Sequence, residues 1–84
     1  MTMLFREKSP IFDTWFYSDK TPRPRWLTEM LEEGSVRMGN NYDRLYFGCG
    51  TAMKDVHYIL YNPDRGIRIC TENQLIKEYE RISV

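Results

Sequence analysis

The run Asp55-Val56-His57-Tyr58-Ile59-Leu60-Tyr61-Asn62-Pro63-Asp64-Arg65-Gly66-Ile67-Arg68-Ile69-Cys70 decides the fold. Val56, Tyr58 and Leu60 alternate with His57, Ile59 and Tyr61, the two-residue period of a strand with apolar material on both faces. Asn62 to Gly66 reads as a turn, with proline at its second position and glycine at the left-handed position that follows. Ile67 to Cys70 is then the returning strand. Thr71-Glu72-Asn73-Gln74 follows directly and matches a capping box, threonine at the N-cap and glutamine three residues on. A last helix is predicted there, with Leu75, Ile76 and Tyr79 on one stripe and Tyr79 closing it over the sheet.

Working outward, Ser35-Val36-Arg37-Met38 and Asp43-Arg44-Leu45-Tyr46-Phe47 alternate in the same way around Gly39-Asn40-Asn41, a cluster that tolerates positive φ. They predict a second hairpin, with Gly48-Cys49-Gly50 as a further bend. Before it, Arg25 to Glu33 repeats Trp26, Leu27, Met30 and Leu31 at helical spacing, with Pro24 at its start and Gly34 as its stop. Glutamates at its C-terminal end oppose the helix dipole, so packing must hold it. Ile11 to Tyr17 is rich in β-branched and aromatic residues and reads as a strand. Leu4 to Pro10 reads as an edge or lead-in because proline interrupts it.

The predicted order is β-α-β-β-β-β-α. Its simplest packing is α+β: a small antiparallel sheet carrying two short helices, as a single domain over residues 1–84. On the first strand Phe12, Thr14 and Phe16 share one face, and Ile11, Asp13, Trp15 and Tyr17 share the other.

Composition narrows the function. The 84 residues are 42% hydrophobic and 14% aromatic, which argues against disorder. So short a chain has a thin core for twelve large rings. Lys plus Arg and Asp plus Glu are 12 each, so net charge is zero. That disfavours general nucleic-acid binding and an acidic DNA mimic, and it removes one bar to self-association. The first residues carry no apolar stretch of signal-peptide length and nothing approaches a membrane span, so a cytoplasmic protein is expected.

Catalytic and metal chemistry find little support. Cys49 and Cys70 are expected to be small core residues that stay reduced. A zinc site lacks ligands, because one histidine and two isolated cysteines have no paired spacing. His57, between apolar neighbours, reads as a sheet-face residue. Cys49 between two glycines is a nucleophile only if a partner base stands beside it. Gly48-x-Gly50 lacks the remaining parts of a phosphate loop. No catalytic residue, metal or cofactor is assigned.

Arginines and lysines beside aromatics are the better signal. Arg6 and Lys8 precede Trp15 and Tyr17, and Arg23 and Arg25 bracket Pro24 beside Trp26. Such sets stack a base and hold a phosphate. These six, Arg6, Lys8, Trp15, Tyr17, Arg23 and Arg25, are the candidate ligand-binding residues. Ile11, Trp15 and Tyr17 exposed together would also form an apolar patch, and a homo-oligomer, dimer or higher, with Trp15 and Tyr17 at or near its contact is expected.

The chain also resembles a family of short, mostly uncharacterised proteins of tailed phages and prophages. The resemblance rests on Phe5-Arg6-Glu7-Lys8-Ser9-Pro10, Trp15 to Tyr17, Pro24-Arg25-Trp26 and Glu33-Gly34-Ser35-Val36. It continues through Tyr58-Ile59-Leu60, Asp64-Arg65-Gly66 and Ile76-Lys77-Glu78-Tyr79-Glu80. The match follows nearly the whole chain in order. The sequence departs at Asp55-Val56-His57-Tyr58, where the family has Gly-Asp-Tyr, and at Ile76, where it has an aromatic. The resemblance implies origin as a phage accessory gene rather than an activity; with neutral charge, the aromatic excess and the lack of catalytic groups, the expectation is a protein of the host cytoplasm that antagonises antiviral defence. It would sequester a small cyclic nucleotide immune signal without cleaving it, or dock on a host defence protein. The alternative is a structural or assembly adaptor with no small ligand.

Overall fold

A central sheet is covered on both faces. The computed structural model describes residues 3–6, 11–39 and 41–81, with side chains over 11–39 and 41–79. Its elements are β1 (Met3–Arg6), β2 (Ile11–Phe16), α1 (Arg25–Glu33), β3 (Arg37–Met38) and β4 (Arg44–Phe47). They continue as β5 (Gly50–Met53), β6 (His57–Asn62), β7 (Gly66–Thr71), α2 (Glu72–Glu78) and β8 (Glu80–Arg81). The class is α+β and every pairing is antiparallel. The predicted order is embedded in this one, with β1, β5 and β8 added. Two sheets form in place of the single one expected. One has five strands in the order β7-β6-β2-β1-β8, and the other has three in the order β3-β4-β5.

The second sheet arises because Gly48-Cys49-Gly50 does more than bend the chain. It returns β5 along β4, pairing Leu45 with Ala52 and Phe47 with Gly50. A four-residue strand of Gly, Thr, Ala and Met carries too little alternation to announce itself. Leu45, Phe47 and Ala52 then close over Trp15, Tyr17 and Ile59, with Leu27 of α1 and Val36 in the same cluster. The opposite face of the large sheet buries Phe12, Leu60 and Cys70 against Leu75 of α2, with Tyr79 packed on it. Two-sided burial is therefore what the aromatic share of the sequence supplies.

This corrects the expected exposed patch. Trp15 and Tyr17 are only 4% and 5% exposed. The small sheet and α1 cover the face that a one-sheet reading leaves bare, and Ile11 alone of the three stays open, at 50%.

Local expectations hold where the chemistry is local. Gly34 caps α1 at φ 84, and its N–H reaches back to the carbonyls of Leu31 and Met30. Asn62 Oδ1 accepts from the N–H groups of Asp64 and Arg65, and Gly66 closes that turn at φ 83. The Thr71–Gln74 capping box is complete in both directions. Two details differ. Asp55 at φ 63 turns the chain from β5 into β6, so Val56 lies in the turn and is exposed. Ile76 is 69% exposed, because the contact line of α2 runs through Leu75 and Tyr79, four residues apart.

Candidate functional site

The three-stranded sheet has one buried face and one open face. Leu45, Phe47 and Ala52 point into the core, so alternation turns Arg44, Tyr46, Thr51 and Met53 outward. Register sets Arg37 of β3 directly opposite Tyr46, Thr51 opposite Tyr46 on the other side, and Arg44 opposite Met53. Facing side chains at such positions have Cβ atoms about 5 Å apart. Tyr46 is 45% exposed and Met53 41%. The open face thus carries the Tyr46 phenol with Arg37 opposite it and Arg44 two residues along its own strand, and no carboxylate stands on these strands.

A groove of about 580 Å³ runs from this face to the end of α1, lined by Gly34, Ser35, Arg37, Met38, Gly39 and Tyr46 among others. Gly39 brings bare backbone against the tyrosine: a Cβ there would stand 3.5 Å from Tyr46 Cε2 and 3.4 Å from Arg44 Cβ. Glycine rims and a serine hydroxyl leave room for a ligand to approach the backbone. Glu32 and Glu33 end α1 beside Gly34, so the end of the groove next to the helix carries negative charge and Arg37 is the cation on its lining.

The core holds this site in place. Tyr17 OH donates to the Tyr42 carbonyl at 2.6 Å, and Tyr42 itself sits at φ 58 in the turn between β3 and β4. Burial pushes the Tyr17 phenol up from its ordinary value, with Lys54 opposing and Asp43 reinforcing. At the same end of the molecule Lys54 is ion-paired with Asp19. Asp43 C=O accepts from Lys54 N–H at 2.9 Å, which ties the start of β4 to the end of β5.

The sequence-derived candidates do not assemble. Trp15 and Tyr17 are core residues, 5.3 Å apart by ring centroids, and offer no open face. Arg23 and Arg25 are exposed on either side of buried Pro24. Their neighbour Trp26 is already engaged: it stacks on Tyr61 at 5.0 Å and its Nε1 donates to Asp13 Oδ2 at 2.8 Å. Arg6 lies in β1, but its side chain, like the whole of Lys8, is outside the described residues. Arg37, Arg44 and Tyr46 were the better candidates. The signal was present, because placing Val36, Leu45 and Phe47 in the core puts these three on the opposite face.

Cysteine and histidine line a different groove, along β7. Cys70 is buried, and burial with nearby Glu78 pushes its thiol up to about 11. Cys49 is exposed at the bend between β4 and β5, which corrects its expected place in the core. His57 accepts the Met53 N–H at Nδ1, 2.9 Å, so its neutral ring carries the proton on Nε2. Among the described residues no group of three or more His, Cys, Asp or Glu could hold a metal. No helix among them is long and apolar enough to cross a membrane. No known family model, curated protein or solved structure matches the chain.

Proposed function

We propose that this chain is a phage-type accessory protein that acts by binding. It would hold a small nucleotide signal of host antiviral defence on the open face of β3-β4-β5 without cleaving it, in the host cytoplasm. The observation that carries the reading is Arg37 directly opposite the exposed Tyr46 on strands that carry no carboxylate, with a groove alongside. A tyrosine ring stacks a base, and a guanidinium takes a phosphate in two hydrogen bonds. Among the described residues that line the groove none is His, Cys, Asp, Glu or Lys, so the Ser35 hydroxyl has no base beside it there, which favours sequestration over hydrolysis. The phage and anti-defence parts of the proposal rest on the sequence resemblance. A dimer through Trp15 and Tyr17 is not part of it, because that face is core.

Equilibrium dialysis against a panel of mononucleotides and cyclic di- and trinucleotides tests the proposal. At least one cyclic member should be retained, competed off by neither inorganic phosphate nor free nucleoside, and recovered chemically unchanged by chromatography. Retention of none of them would refute sequestration. Recovery of a cleaved product would make the protein a hydrolase.

A further inference from the structure

The strand order places β7 at one end of the five-stranded sheet. Tyr17 N–H donates to His57 C=O at 3.1 Å, in register with the β2–β6 pairs. Odd-numbered residues of β6 therefore turn their backbone groups to β2, and even-numbered ones turn theirs to β7. Through the β6–β7 register, Arg68 and Cys70 bond inward, while Ile67, Ile69 and Thr71 point outward. Two contacts agree with this parity. The Cys49 thiol donates to Ile67 C=O at 3.6 Å, and Thr71 N–H donates to Gln74 Oε1 at 2.9 Å. The chain so closes both ends of the edge. Between them, Ile69 N–H and C=O have no partner among the described residues.

Edges of natural sheets are commonly blunted by lysine, proline or a bulge. The strand Gly66-Ile67-Arg68-Ile69-Cys70-Thr71 has none of these. A groove of about 560 Å³ follows this edge, with Cys49, Gly50 and Thr51 on one wall and Gln74, Glu78 and Tyr79 on the other.

We propose that this edge docks an extended segment of a partner protein, which adds as one strand beside β7 and presents a basic side chain to α2. Unpaired backbone groups select backbone, and strand addition satisfies them. The walls choose the rest. Side chains of an added strand alternate. Those on one side pass Gln74 and Glu78. Those on the other pass Cys49 and Gly50, where small residues fit. Arg68, the other charge on the groove, is held over the Phe12 ring and by Tyr79 OH. Glu78 is exposed, with no ion pair among the described residues, and selects a cation. A second copy paired through β7 would instead bring two Glu78 carboxylates together. The site is independent of the Arg37–Tyr46 groove, so either stands without the other.

The experiment uses the full ¹⁵N-labelled chain and a short acetylated, amidated peptide of alternating lysine and threonine. A second peptide carries glutamate in place of lysine. The lysine peptide should slow exchange of the Ile67 and Ile69 amides at least about tenfold. It should bind about tenfold tighter than the glutamate peptide, and Glu78→Lys, an exposed substitution, should reverse that order. An Ile69 amide unchanged at saturation, or equal binding of both peptides, overturns the proposal. Concentration-dependent protection of Ile69 without peptide also overturns it, by assigning the edge to a second copy.

Discussion

Tyr79 ends α2 and locks it to the central sheet, and replacing it separates the parts of that lock. Its ring meets Phe12 edge-on, with centroids 5.8 Å apart and planes at 89°. Phe12 is fully buried, and the Arg68 guanidinium lies 5.0 Å from its ring centroid while Nη1 donates to Tyr79 OH at 3.1 Å. Tyr79 thus closes a stack of ring, cation and ring over Leu60, Cys70 and Leu75. An edge-to-face aromatic pair contributes about 1 kcal/mol beyond area burial. The half-buried ring adds about 1–1.5 kcal/mol by area. The hydrogen bond from a charged donor, partly exposed here, adds about 0.5–1 kcal/mol. Tyr79→Ala should therefore cost about 3 kcal/mol, within reach of the range for losing a large core ring. Tyr79→Phe keeps ring and pair and should cost no more than about 1 kcal/mol. Urea unfolding followed by far-ultraviolet circular dichroism measures both, and the slope should stay constant between variants. In a domain of this size the alanine variant should melt on the order of 10–20 °C lower. An alanine cost below about 0.5 kcal/mol, the size of a surface substitution, would show that α2 is not held by this ring. A phenylalanine variant as unstable as alanine would show that the hydrogen bond and not the packing is what holds it.

The two thiols should part company: Cys49 should react with a disulfide reagent in the folded protein, and Cys70 only on unfolding. Because burial raises the Cys70 thiol from its ordinary 9.0 to about 11, the folded state holds that proton longer than the unfolded chain. Its contribution to stability is fully present below pH 9.0 and is lost as pH rises toward about 11. The Tyr17 and Tyr58 phenols are raised by burial too and act in the same direction at higher pH. Urea midpoints that rise through this window would contradict the assignment. Asp13→Ala removes the acceptor of Trp26 Nε1 and should cost about 1–2 kcal/mol, with a change in Trp26 fluorescence. An unchanged midpoint and spectrum would mean that the indole is not anchored there.

Elements with local causes were legible. The α1 helix, its glycine cap, the Asn62–Gly66 turn and the Thr71–Gln74 box each depend on residues within one turn of each other. The face assignment of β2 was legible as well, since Phe12 and Trp15 do point to opposite sides. What covers the Trp15 side was not, because it depends on β5, a strand whose sequence is nearly silent and which forms by long-range pairing with β4. That omission moved the candidate site. With Trp15 and Tyr17 taken as surface, rings and cations near them looked like a ligand face. With them in the core, the exposed ring is Tyr46, whose flanking arginines the same alternation already set outward. The open edge of β7 was equally beyond the sequence, since strand order decides which strand lies outermost.

The most direct test of the central claim is a thermal-shift titration of the full chain with cyclic di- and trinucleotides, run beside Arg37→Ala and Tyr46→Ala. Both residues are exposed, so each variant alone should unfold within about 0.5 kcal/mol of the parent chain. A ligand that binds the folded state at one hundred times its Kd adds about 2.7 kcal/mol, an upward shift on the order of 10–20 °C in a domain this small. The account predicts that shift for the parent chain with at least one cyclic nucleotide, and its loss in both variants. A flat response across the panel, or a shift that both variants retain, would contradict it.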